Sequence, residues 1–377
     1  MPAVALLDPN HPDLSHRAEL RKWLQLQATL GLEPELAVAC LRRVGDPGKA
    51  LAICGRARAM SEAALDTSFA VLRRRGYRGL PFTSPQYPAP LAALADPSPL
   101  LLAAGDVAHL SGQLVAIVGA RAATVYGLEF ARALGARLAG AGVTVVSGLA
   151  RGIDAAAHRG ALEVSGVTVA VQACGPDRVY PAEHRGLAAQ IAERGVLLTE
   201  LPVGAPPRRP YFPLRNRLIS GLCRCVIVVE ARERSGSLIT ARHALDQGRD
   251  VMALPGPVTS PTSWGPNRLI RDGAVPILEV DDVFESLAIP APHPDGLPAD
   301  TEDAPLGPGS QTILETLERQ SLSRDELGRR VALDSRQLDL ELIDLELQGR
   351  VVRDRDGRMV KLPSHEPQTP RARRTPK

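Results

Sequence analysis

Residues 114–154 read LVAIVGARAATVYGLEFARALGARLAGAGVTVVSGLARGID. The stretch opens and closes on short apolar runs, LVAIVG (114–119) and VTVVSGL (143–149), with apolar residues at helical spacing between them. A strand with one wet face alternates apolar and polar residues. A strand that is apolar along its length needs cover on both faces. The pattern recurs in VTVAVQA (167–173), VLLTEL (196–201), CVIVVEA (225–231) and DVMALPG (250–256), each separated from the next by an amphipathic stretch. Strand–helix alternation over 113–288 predicts an α/β domain built on a doubly wound, mostly parallel sheet.

The flanks read differently. Residues 1–80 are expected to form a helical module of the SAM or helix-hairpin-helix kind. LRKWLQLQATLGL (20–32) and ELAVACLRRVG (35–45) carry helical spacing, and Gly45-Asp46-Pro47-Gly48 is a strong stop. Such a module either touches DNA through backbone amides or packs against protein. The Pro-rich run PFTSPQYPAPLAALADPSP (81–99) opens the domain of residues 81–288, and 81–110 are expected to wrap its edge without regular structure. Residues 289–309 are rich in Pro, Asp and Gly and read as a linker. Residues 310–363 run helix, helix, helix, hairpin, with VVRDRDGRMVKL (351–362) turning at Asp356-Gly357, which suggests a winged helix. The tail, 364–377, carries Arg371, Arg373, Arg374 and Lys377 and reads as disordered.

Composition sets limits. A chain of 377 residues accommodates two or three domains, and 44% hydrophobic content supports a sizeable core. Aromatics make up only 3%, so that core is mostly Leu, Val, Ala and Ile. A net charge of +3 is too small to prove a polyanion partner, so any basic surface must be local. Five cysteines, with no signal peptide at the start, fit a reducing cytoplasm. Cys223 and Cys225 form C-x-C without a second pair at zinc spacing, so the cysteines read as small apolar residues. No apolar run approaches the roughly 20 residues of a membrane span.

Ligands of an open parallel sheet bind beyond the carboxyl ends of its strands. Those ends carry Gly119-Ala120-Arg121, Ser147-Gly148-Leu149-Ala150-Arg151-Gly152-Ile153-Asp154, Gly175 followed by Tyr180-Pro181, Glu200 leading to FPLRNR (212–217), Arg232-Glu233-Arg234-Ser235-Gly236-Ser237, and Pro255-Gly256. Glycine admits a ligand to the backbone, helix starts offer unpaired N–H groups, and arginine matches phosphate oxygens. Several such sites in a row suit a phosphate chain. The first turn, G-A-R-A-A-T, is not a dinucleotide fingerprint, and GxxxxGK[ST] is absent. Asp154 and His158, at i and i+4, have metal spacing without an evident third ligand, and read more simply as a brace fixing a loop. Glu200 and Glu230 could serve as acid or base, orient an arginine, or cap a loop. Ser147, Ser235 and Ser237 have no nearby His to activate them. No catalytic residue, metal or cofactor is therefore expected.

The run from Tyr87 to Ala274 resembles the DNA processing protein A (DprA, or Smf) family. IVGAR (117–121), SGLARGID (147–154) with His158, GAL (160–162), YP (180–181), TELP (199–202), FPLRNRLISG (212–221), VVEA (228–231), SGSLITA (235–241), LPGP (254–257) and GPNRLIRDGA (265–274) carry the resemblance in order. It implies a Rossmann-like, homodimeric protein that binds single-stranded DNA, loads the RecA recombinase during natural transformation and helps overcome single-strand-binding protein, without enzymatic activity. It also implies a DNA-binding pocket of Arg121, Ser147, Gly148, Arg151, Arg215, Asn216, Arg217, Ser235, Gly236 and Ser237, to which Gly119 belongs by position. Ala120 departs from the serine usual there. Tyr180, Tyr211 and Phe212 are candidate stacking platforms.

In FPLRNR, Pro213 would stiffen the approach, Arg215 and Arg217 would clamp phosphates, and Asn216 would cap the following helix or touch a sugar or base. The competing reading pairs one arginine internally with Glu200 or Glu230. The third winged-helix helix (334–350) carries Asp334, Asp339, Glu341, Asp344 and Glu346, so it is expected to meet protein rather than a major groove. The wing arginines Arg353, Arg355 and Arg358 could still touch DNA weakly. The enzyme alternative is a nucleotide or phosphoribosyl hydrolase on a related fold, but SGSLITARHA (235–244) lacks that group's double glycine and its carboxylate.

Overall fold

The computed structural model describes residues 6–30, 33–54, 60–289, 308–317, 322–331, 333–347, 351–353 and 358–361. Four helices come first: α1 (Leu14–Leu30), α2 (Pro34–Val44), α3 (Pro47–Cys54) and α4 (Glu62–Arg75). Then follow β1 (Tyr77–Pro81), α5 (Ala89–Ala92), β2 (Leu100–Gly105), β3 (Leu114–Val118), α6 (Val125–Gly140), β4 (Thr144–Ser147), α7 (Ile153–Glu163), β5 (Thr168–Val171), α8 (Arg185–Arg194) and β6 (Val196–Thr199). After the crossover come α9 (Tyr211–Leu222), β7 (Cys225–Val228), α10 (Gly236–Asp246), β8 (Asp250–Ala253), α11 (Trp264–Arg271), β9 (Val275–Pro276) and α12 (Asp281–Ser286).

The nine strands form one sheet in the order β1-β2-β6-β5-β4-β3-β7-β8-β9. It is Rossmann-like and mostly parallel, and only the β1–β2 and β2–β6 pairings are antiparallel. All six strands expected from the apolar runs are present. Their two-sided hydrophobicity has its cause in the packing. Val115, Ile117, Val145 and Ile227 face α6, α7 and α12 through Leu134, Leu138, Ile153 and Phe284. Ala116, Val118, Val146 and Val226 face α9 and α10 through Leu218, Ile219, Leu222 and Ala241.

Two expectations are corrected. Residues 81–110 are not irregular throughout, because β2 lies within them and inserts antiparallel beside β6. FPLRNR is not the approach to a helix, because α9 already starts at Tyr211 and Asn216 sits in its second turn, where it cannot cap. Prolines 210 and 213 hide this start, yet an N-terminal turn has no N–H partner for a proline to lose. The amino-terminal helices share a core with the sheet. Leu20, Trp23 and Leu24 of α1 pack in one cluster with Leu100, Leu102, Ile191 and Leu197. Gln27 of α1 also donates to the carbonyls of Leu100 (3.3 Å) and Glu200 (2.8 Å).

The chain divides into two compact units, Met1–Pro292 and His293–Lys377. The second contains α13 (Pro308–Leu317), α14 (Arg324–Gly328), α15 (Ser335–Leu347) and the antiparallel pair β10 (Val351–Arg353) and β11 (Met359–Lys361), the order of a winged helix. Its core includes Ile313, Leu317, Leu338, Leu342 and Met359. The Asp356-Gly357 turn and the tail at 364–377 lie outside the described residues, as does most of the linker at 289–309.

Candidate functional site

The chain runs β3 to β6 outward in one direction and then returns to place β7 on the other side of β3. Loops leaving β3 and β7 therefore diverge, which opens the crevice where ligands of such sheets bind. A cleft of about 490 Å³ lies there, lined by residues 118–122 after β3, Ala150 and Asp154 after β4, Arg232 and Arg234 to Ser237 after β7, and Phe212, Arg215, Asn216 and Ile219 of α9. Arg121, Arg232 and Arg234 are exposed at its rim. Arg121 lies over the Phe212 ring at 5.0 Å, and Phe212 meets Tyr180 edge-on at 5.7 Å. A narrower recess continues past Gly148, Arg151, Ala173 and Tyr180.

Arg215 lies in the floor. Its guanidinium donates to the carbonyls of Gly148 (2.6 Å) and Val171, and its Nε donates to Asn216 Oδ1 (3.1 Å). Burial pushes its pKa down to about 10, with Asp154 opposing, so it stays charged at neutral pH. A Cβ at position 148 would stand 2.5 Å from Arg215 Nη2, so a larger residue there displaces the guanidinium. Asp154 is the cleft's one lining carboxylate. It accepts from the N–H groups of Gly148 (3.1 Å) and Ala150 (3.3 Å), and burial raises its pKa. It holds the 147–152 loop through Oδ2 and faces the positive charges of Arg215 and Arg121.

Across the cleft, α10 begins. Ser235 caps it by accepting from Ser237 N, and the two hydroxyls lie 2.7 Å apart. Nothing lies within 4 Å of the position a Cβ on Gly236 would take. The turn therefore presents open backbone and the positive end of a helix dipole. Asn216 ties the two helices together by donating to Gly236 O at 3.2 Å.

Several expected residues lie elsewhere. Arg217, expected to clamp phosphate, is corrected to an internal role. It is 3% exposed, lines no part of the cleft, and pairs with Glu200 (2.5 Å) and Asp96 (3.0 Å). Ser147 is fully buried and donates to Ile117 O at 2.6 Å. Gly119 contributes backbone to the cleft wall, and a Cβ there would strike Ile153 at 2.6 Å. Arg151 is exposed in the recess and held bidentate by Glu183 at 2.6 and 2.7 Å. Tyr211 is half-buried and lines neither the cleft nor the recess.

Asp154 and His158 do not act as a pair. His158 Nδ1 lies 2.7 Å from Thr168 Oγ1, which donates to Val145 O. Glu230 accepts from Thr124 N (2.9 Å) and Thr124 Oγ1 (2.5 Å) at the start of α6. Among the described residues no cluster of His, Cys, Asp or Glu has a metal-binding arrangement, and no helix is long and apolar enough to cross a membrane. Arg232 and Arg234, which the sequence places at a strand end but not in the expected pocket, line the cleft, as does Thr240, which the sequence does not single out. The signal was present: R-E-R immediately precedes a serine-capped helix.

Residues 79–288 match the model of DNA recombination-mediator protein A, and residues 297–357 match that of the DprA winged helix domain. The chain belongs to the DprA/Smf family. It is 38% identical over 292 residues to protein Smf of Escherichia coli, covering 76% of this chain and 78% of that one. With Bacillus subtilis DNA processing protein DprA it shares 43% over 219 residues, covering 58% and 74%. The structure of DprA from Streptococcus pneumoniae superposes with a TM-score of 0.60 at 33% identity, covering 69% of this chain and 95% of that one. DNA processing protein A from Helicobacter pylori, described in a single-stranded DNA binding mode, gives a TM-score of 0.52 at 31% identity, covering 56% and 95%.

Proposed function

We propose that this DprA/Smf protein binds single-stranded DNA in the switch-point cleft and acts as a recombination mediator that loads RecA during natural transformation. The carrying observation is the charge of the cleft. Four guanidinium groups, Arg121, Arg215, Arg232 and Arg234, surround open Gly/Ser backbone at a helix start, and Asp154 is engaged by two N–H groups. Phosphates of one flexible strand satisfy such a site without base-specific contacts. Phe212 and Tyr180 at the mouth offer aromatic faces to unstacked bases. The binding mode described for the Helicobacter pylori relative supports the same ligand. Residues Gly119, Gly148, Asn216, Ser235, Gly236 and Ser237 shape the site, and Arg151 stands at its extension. The protein carries the strand without chemistry on it. Homodimerisation, displacement of single-strand-binding protein and a cytoplasmic location complete this reading.

Fluorescence anisotropy of labelled oligo-dT across a salt series tests it. Arg121→Ala with Arg232→Ala is expected to weaken binding and lower the log–log salt slope by about 1.4, at about 0.7 for each phosphate no longer neutralised. An unchanged affinity and slope would remove the strand from this cleft.

A further inference from the structure

The first unit has a second basic groove, away from the switch point. It encloses about 800 Å³ between the end of α4, the loop after β5 and the exposed side of α8. Arg74, Arg75, Arg178 and Arg185 stand around it, all exposed, over a floor that includes Val179 and Ala188. Its one lining acid, Asp177, is already engaged: one carboxylate oxygen accepts from Gly204 N (2.8 Å) and the other pairs with Arg178 (3.0 Å). Arg75 reaches the Asp177 carbonyl at 3.4 Å, so Arg74 and Arg185 are the less committed charges.

The groove is built rather than incidental. Gln172 donates to Arg178 O (3.3 Å) and accepts from Tyr77 OH (2.6 Å), and Gly175 N donates to Ala205 O (2.9 Å). The same loop links it to the first site. Ala173 and Tyr180 line the recess beyond the cleft, while Pro176 to Val179 line the groove.

We propose that a single DNA strand leaving the cleft past Tyr180 continues into this groove, so that the amino-terminal helices and α8 form a second phosphate-reading segment of one binding track. Arginines at the rim meet phosphates, and the small apolar floor accepts bases or sugars. The inference rests on the cleft being the primary site.

Two labelled oligo-dT lengths, about 6 and about 20 nucleotides, separate the two ideas, since the shorter fills one site and the longer spans both. They are titrated across salt with the full chain, as wild type and as Arg74→Ala with Arg185→Ala. The variant should bind the short strand as wild type does. On the long strand it should lose affinity and show a slope lower by about 1.4. Equal binding of the long strand by both proteins overturns the track while leaving the cleft intact. Failure of wild type to bind the short strand, or its indifference to Arg121→Ala, overturns both. Unchanged thermal melting of the variant ties any loss to the groove.

Discussion

At the scale of single residues, neighbouring arginines on α9 have opposite duties. Arg215 points into the cleft floor, and Gly148 leaves the space that its guanidinium fills. Arg217 points into the protein and neutralises Glu200, whose pKa burial pushes up to about 7 while Arg217 opposes. Removing one partner of a buried pair costs about 3–5 kcal/mol. Glu200 can take up a proton once Arg217 is gone, which places the cost at the lower end of that range. Arg217→Ala is therefore expected to lower the unfolding free energy read from denaturant titration by about 3 kcal/mol, while the folded fraction keeps the wild-type salt slope on oligo-dT. A changed slope with unchanged stability would return Arg217 to the DNA surface.

At the scale of elements, α7 is fastened to β5 through a neutral histidine. Thr168 Oγ1 donates to Val145 O, so it accepts from His158, and the ring carries its proton on Nδ1. His158 Nε2 is buried without a partner, and burial lowers the pKa from 6.5 to about 3. Above pH 6.5 both folded and unfolded forms are neutral and the full stability is present. Below it the unfolded chain takes up a proton that the folded chain refuses. Stability should then fall by up to about 1.4 kcal/mol per pH unit toward the folded pKa. Glu200, with its folded pKa near 7, takes up a proton in the same window and offsets this loss in the wild-type curve. Denaturant titrations between pH 7 and 5 should therefore show the slope as the difference between wild type and His158→Gln. The six central strands were legible in the sequence because helices cover both of their faces, which makes them apolar throughout. β2 (LLLAAG, 100–105) was equally apolar, but the prolines before it suggested a loop, and its antiparallel pairing with β6 leaves no local mark. The site was half legible. Glycine, serine and arginine at strand ends mark the cleft, but the direction each arginine points depends on long-range partners such as Glu200 and Asp96.

At the scale of the molecule, the winged-helix unit has a charge pattern of its own. Within it Arg324 pairs with Asp339 at 2.6 Å and Arg358 with Glu326 at 2.8 Å, so these arginines are engaged by the unit's own acids. Removal of residues 290–377 is expected to leave oligo-dT affinity and salt slope unchanged. Loss of binding on truncation would place the principal contacts in the wing or the tail. The nine-stranded sheet also has a social consequence. At one border, Gly79 of β1 exchanges both backbone hydrogen bonds with Leu7, each 2.8 Å. At the other, β9 is only two residues long and ends in Pro276, which has no N–H to give. Among the described residues, neither rim offers another chain a row of open peptide groups. Copies of this protein brought together at high concentration are therefore not expected to zip edge to edge into a continuous β ribbon.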